Sequence, residues 1–213
     1  MVSIEILTIL LLLAAVSVIQ FFRGRKLNLE LVKFYSAKSV EVFKPEDKIF
    51  TWLGGYIGFR AKFDLQDGMK LEYTLTLLPR HSLMYFPVSL ITNRHDKLYL
   101  VFRLRNLDGE AHLIKRGYYR IKPKIENEIA LRKEVVKIGN YDYEILYDKK
   151  DYADWIVNFI QGFSKIRNVK HISLTPSTKV LYILMKPEPE TIERDFRYIY
   201  DYIKSHSGKL RLS

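Results

Sequence analysis

The chain has 213 residues, 48% of them apolar, and a net charge of +11 from 35 Lys and Arg against 24 Asp and Glu. That apolar content argues against a disordered chain and can fill the core of one domain or two closely joined subdomains. The absence of cysteine excludes disulfides, thiolate metal sites and thiol nucleophiles and suits a reducing compartment; the basic excess favours anionic partners such as phospholipid headgroups or RNA.

Residues 6–22 carry no charge. At about 1.5 Å per residue they fall slightly short of a bilayer core of roughly 30 Å, a gap that flanking residues close. Thr8, Ser17 and Gln20 interrupt the run, and each is a candidate hydrogen-bond contact to a membrane partner. Glu5 precedes the segment, and Arg23, Gly24, Arg25 and Lys26 follow it. This is the flank pattern of an uncleaved anchor, not of a cleaved signal peptide. The positive side, extended by Lys33, predicts the N-terminus outside and the rest of the chain in the cytoplasm. Arg23, Arg25 and Lys26 are also candidate contacts for lipid phosphates or rRNA.

Leu27, Leu31, Phe34 and Tyr35 recur at helical spacing, so a juxtamembrane helix is expected over 26–45, continuing or kinking from the anchor and stopping near Lys44 and Pro45. Phe59, Ala61, Phe63 and Leu65 then alternate up to a turn at Asp67 and Gly68, and Leu71, Tyr73, Leu75 and Leu77 alternate after it. That pattern predicts a β-hairpin. Gly54, Gly55 and Gly58 lack a Gly-Lys-Ser/Thr ending and read as strand-turn glycines, not a phosphate loop.

Between Arg80 and Arg94, an apolar run of Leu83, Met84, Tyr85, Phe86, Val88, Leu90 and Ile91 is split by Pro87. The primary expectation is a core helix packed on the hairpin. The alternative is a segment that touches membrane or partner through Leu83, Met84 and Phe86. Strand-like alternation resumes at 98–104. It leads into the most basic stretch of the domain, with Arg103, Arg105, Lys115, Arg116, Arg120, Lys122 and Lys124 against Asp108 and Glu110. With Tyr118 and Tyr119 inside it, this stretch is a candidate rRNA or phosphate contact; a solvated loop is the other reading.

From Glu134 the order is plainer. Strands near 135–138 and 143–147 lead to a helix from about Asp151 whose Tyr152, Trp155, Ile156, Phe159, Ile160 and Phe163 share one face. A second strand pair at 169–174 and 180–185 precedes a final helix opened by Pro187 and Pro189, with Ile192, Phe196, Ile199 and Ile203 on its inner side. The C-terminal half therefore reads as ββαββα. The whole is an α+β chain: an anchor at 1–25, the juxtamembrane helix, and a basic domain at 46–213 with a subdivision left open near 125–133.

The five histidines, His81, His95, His112, His171 and His206, share no metal-ligand spacing, and no nucleotide, kinase or hydrolase motif appears. Asp64 and Glu72 are placed to face each other across the hairpin, where cross-strand pairing outweighs acid–base chemistry. The expectation is a protein that is not an enzyme and needs no cofactor. A membrane-tethered enzyme would need a polar pocket with shifted pKa values.

In order and local pattern the chain resembles the calumin family, the single-pass subunit of the PAT complex that associates with the endoplasmic-reticulum translocon. The matching stretches are the anchor with its basic flank and 26–43, then 68–78 running into 79–94, then 97–102, then 159–196, where 166–172 precedes the strand 181–185. The family's acidic luminal region and long basic coiled-coil tail have no counterpart in the sequence, so calcium binding and tail-mediated ribosome contact do not carry over. The resemblance implies a minimal, archaeal-like, non-enzymatic factor for multipass membrane-protein biogenesis. Its implied partners are the protein-conducting channel, the ribosome through rRNA, nascent membrane proteins and a small membrane partner similar to Asterix. A membrane-anchored scaffold for anionic lipid or a cytoplasmic protein is the alternative.

Overall fold

The helix that opens the chain does not end where its apolar segment ends. In the computed structural model, which describes residues 3–66, 68–126 and 128–206 and the backbone of 211–212, α1 is a single helix, Ile4–Phe43. At 40 residues it is about 60 Å long. The Ser3 side chain accepts a hydrogen bond from the Ile6 amide at its start, with Glu5 in the first turn. Lys44, in the left-handed conformation at φ 44°, closes it by donating its N–H to Val40 O, and Pro45 follows. The most apolar 18-residue window has mean hydropathy 2.4 and is 0% buried. Among the described residues, α1 is the one helix long and apolar enough to cross a membrane.

The inner half of α1 docks on the domain through Gly24, Asn28, Val32, Tyr35, Ser39, Val42 and Phe43. This stripe lies one residue beyond the predicted face, and Leu27 is left 45% exposed. The shift follows from the partner: backbone approaches α1 closely at Gly24, and Asn28 bonds the carbonyls of Tyr56 and Leu78. At the far end Phe43 meets Phe196 at 5.1 Å and Phe102 at 6.3 Å between ring centroids.

The domain is built on one antiparallel sheet. Its strands are β1 (Asp47–Trp52), β2 (Gly58–Asp64), β3 (Lys70–Thr76), β4 (Lys97–Asn106), β5 (Ala111–Lys115), β6 (Arg132–Ile138), β7 (Tyr141–Tyr147), β8 (Val169–Thr175) and β9 (Val180–Met185), with a short β10 (Arg211–Leu212) on β4. The order across the sheet is β1-β2-β3-β4-β9-β8-β5-β7-β6. Strands from both sides of 125–133 therefore interleave in one layer, with β5 between β8 and β7. One face of the sheet carries Phe59, Ala61, Phe63, Leu71, Tyr73, Leu75, Leu98, Leu100, Phe102, Leu181 and Ile183, all buried. Helices α3 (Lys150–Gln161) and α4 (Ile192–Ser205) cover this core together with the inner end of α1. The mixed α/β class and the ββαββα order of the second half are as expected.

Three local expectations change. The predicted hairpin forms between β2 and β3, but its register sets Lys62 opposite Glu72 and Asp64 opposite Lys70. The two carboxylates are not direct cross-strand partners, and the hairpin is stabilised by opposite charges. Asp67, at its predicted turn, lies outside the described residues. Residues 47–52, unassigned from the sequence, form edge strand β1, exposed along its whole length. The expected core helix in 79–93 is α2 (Tyr85–Thr92), and among its residues only Ser89 is buried. Met84 is 83% exposed, Tyr85 70% and Ile91 66%.

Candidate membrane-proximal site

Buried polar residues on the docked face of α1 locate the site. Asn28, fully buried, donates through Nδ2 to the carbonyls of Tyr56 and Leu78, each at 2.9 Å. Its Oδ1 accepts from Arg80 Nη1 at 3.1 Å. The Arg80 guanidinium also forms a two-pronged pair with Asp96, at 3.0 and 2.7 Å, and Asp96 accepts the Leu78 amide at 2.8 Å. Charge-assisted, half-buried bonds of this kind hold geometry well. They pin two segments to α1: the β1–β2 turn and the strand exit at 78–81.

One turn toward the N-terminus, the backbone of Arg80 passes so close to Gly24 that an added Cβ would lie 2.1 Å from Arg80 O. Only glycine permits that approach. A further turn on, Gln20 Nε2 donates to Arg80 O at 2.7 Å. Gln20, expected to serve a neighbouring membrane helix, is thus engaged within its own chain. Thr8 and Ser17 return their hydroxyls to the carbonyls of Ile4 and Leu13, at 2.8 and 2.7 Å, the usual i−4 bond of an apolar helix.

The rings of Phe21, Tyr56 and His81 meet edge to face, with centroids 5.8–6.4 Å apart. Arg25 lies 4.6 Å above the Tyr56 ring. Beside this cluster a groove of about 590 Å³ is lined by Phe21, Ile57, Pro79, His81, Tyr85 and Val88, among others. Val88, in its wall, is 55% exposed, and the α2 region carries further exposed apolar side chains in Leu83 at 36% and Leu90 at 46%; at the end of β1, Trp52 is 46% exposed and Leu53 after it 37%. Phe86 is half-buried.

The basic stretch is not gathered into one patch. Arg103 on β4 pairs with Glu72 at 2.7 Å, and Lys122 pairs with Glu144 on β7 at 2.8 Å. These two pairs are four strand spacings apart, about 19 Å. Lys115 donates to Arg167 O at 3.0 Å with its ammonium over the Tyr141 ring, and Arg120 donates to Ile91 O at 3.1 Å, tying the 116–126 segment to the end of α2. Arg116 and Lys124 are exposed; the side chain of Arg105 lies outside the described residues. On α1, Arg23 and Lys26 are exposed, with Lys26 4.0 Å from Glu30.

Tyr118 and Tyr119 are half-buried on the sheet's second face, Tyr118 stacked on His95 and Tyr119 Oη 3.1 Å from His171 Nδ1. Burial pushes the Tyr119 phenol up to about 12. Two histidines that the sequence leaves scattered come together here. His112, 2.8 Å from Glu110 through Nε2, sits 5.9 Å from His171 between ring centroids. Burial, then the neighbouring His112, pushes His171 down to about 3. Their pairing arises from the β5–β8 register, which no sequence spacing reveals. Among the described residues, no group of three or more His, Asp or Glu is placed to hold a metal.

No protein-family model matches the chain, and no curated protein matches it.

Proposed function

We propose that the protein is a single-pass membrane protein whose domain faces the cytoplasm and acts, without catalysis, in membrane-protein biogenesis beside a protein-conducting channel. The observation that carries this reading is the continuity of α1. One unbroken helix runs from an exposed apolar segment to Phe43 in the domain core, so the domain is held at a set height above the membrane. A factor that must stand beside a channel needs that geometry. The basic flank after the apolar segment supports the cytoplasmic orientation, and the calumin-like order of elements supports the biogenesis role. Exposed Arg23, Lys26, Arg116 and Lys124 supply the contacts to rRNA or lipid phosphate.

Purification from native membranes followed by ribosome co-sedimentation tests the reading. Channel subunits and ribosomes are expected to co-purify, with ribosome binding weakening steeply as salt rises. Failure to bind ribosomes even at low salt removes the rRNA contact. Failure to recover channel subunits removes the biogenesis role and leaves a membrane-anchored scaffold, a reading that the exposed apolar surface of α2 favours.

A further inference from the structure

The apolar exposure around α2 has a position as well as a composition. After β3 the chain meets Asn28 at Leu78, then passes Gly24 and reaches Gln20 through Arg80. It therefore descends α1 toward the apolar segment and enters α2 level with that segment's last turns. The β1–β2 turn arrives at the same level, with Tyr56 against Phe21 and Arg25. Both elements present apolar side chains outward there. α2 is apolar on all sides and is tied down at Ser89, at the Arg80 end and by Arg120; in water such a surface invites aggregation. No acidic residue lies between Glu72 and Asp96, and Asp96 is neutralised by Arg80. Exposed cations Arg23, Lys26 and Arg94 rim the region, and Tyr85 and Trp52 are the amphipathic rings that favour headgroup level.

We infer that α2 lies in the lipid interface of the membrane that α1 enters, as a second and non-spanning membrane contact. The inference rests on α1 crossing that membrane. If it does, Gln20 and Phe21 mark the edge of the hydrocarbon, and α2 begins within about one helical turn, roughly 5 Å, of that edge. Interfacial helices bury themselves about 5–10 Å into the headgroup and acyl boundary, the depth this docking gives. The occupant is lipid because the surface is continuous with the anchor itself. With two contacts, the domain's rotation about the α1 axis is fixed, and one side of the sheet always faces the same neighbour.

A chain without cysteine permits a direct test. Full-length single variants Met84→Cys, Val88→Cys, Ile91→Cys, Leu11→Cys and Lys124→Cys are labelled with an environment-sensitive fluorophore. Each is reconstituted into vesicles of phosphatidylcholine and phosphatidylglycerol carrying spin labels near the headgroup or near the chain end. Labels at 84, 88 and 91 are expected to emit to the blue of the label at 124 and to be quenched most by the shallow spin label; the label at 11 is expected to be quenched most by the deep one. Quenching at 11 with water-like emission at 84, 88 and 91 overturns the inference and leaves the span standing. Blue emission at those three positions without quenching means a protein cover, such as a second copy, and also overturns it. Absence of quenching at 11 removes the span and the inference together.

Discussion

At the scale of single residues, the buried polar side chains do more to define this protein than the apolar ones. Asn28 holds the β1–β2 turn and the strand exit to α1 at once, and replacing it with Ala leaves Tyr56 O and the Arg80 guanidinium short of a partner inside the protein. A cost of about 2 kcal/mol is expected, read as a fall in Tm of about 4–8 °C in detergent for a domain of this size. The sequence lists Asn28 as one polar residue on a helix, and nothing in its spacing marks it. His171 makes a second prediction. Its pKa of about 3 in the fold lies below the roughly 6.5 of an unfolded histidine, so the unfolded chain takes up the proton first. Stability is therefore full above pH 6.5 and is lost as pH falls toward 3. Thermal unfolding between pH 6.5 and about 5.5, above the range where the carboxylates of the unfolded chain titrate, should show this slope. His171→Asn should reduce it, whatever it does to the absolute Tm, with the remainder coming from His95, whose pKa burial also lowers.

At the scale of elements, what was legible was what local rules decide. Lys44 and Pro45 end α1, the alternation at 59–65 and 71–77 makes a hairpin, and the apolar faces of α3 and α4 are those read from 3.6-residue spacing. What escaped was decided by neighbours distant in sequence. An apolar run gives the same signal whether it is buried or exposed, so the sequence predicts α2 in the core; the cations of 103–124 look free until β3 and β7 bring Glu72 and Glu144 to Arg103 and Lys122. The docking of α1 is similarly hidden, because its key residue is the absence of a side chain at Gly24. Gly24→Leu would drive a Cβ into Arg80 O, separate 79–81 from α1 and break the Gln20 bond. Trypsin should then cut after Arg80 several-fold faster in reconstituted vesicles, while the sheet core stays protected. An unchanged rate would mean that the two segments do not depend on each other.

At the scale of the whole molecule, orientation follows from which side of the membrane the domain occupies. In sealed vesicles with a known outer face, Ser205→Cys at the exposed end of α4 should react with an impermeant maleimide only where the cytoplasmic face is outward; reaction on the opposite face would reverse the topology. The sheet order carries a further consequence, in time rather than in space. β4 finds its neighbour in β9, and β5 is flanked by β8 and β7, so the middle of the sheet has unpaired edges until Val180–Met185 is available. Pairings this distant in sequence close slowly. During synthesis the apolar start of α1 emerges long before β9, so if α1 is a membrane span, the domain completes its fold only after that segment has had the opportunity to insert. A chain arranged in this order acquires its address before its shape.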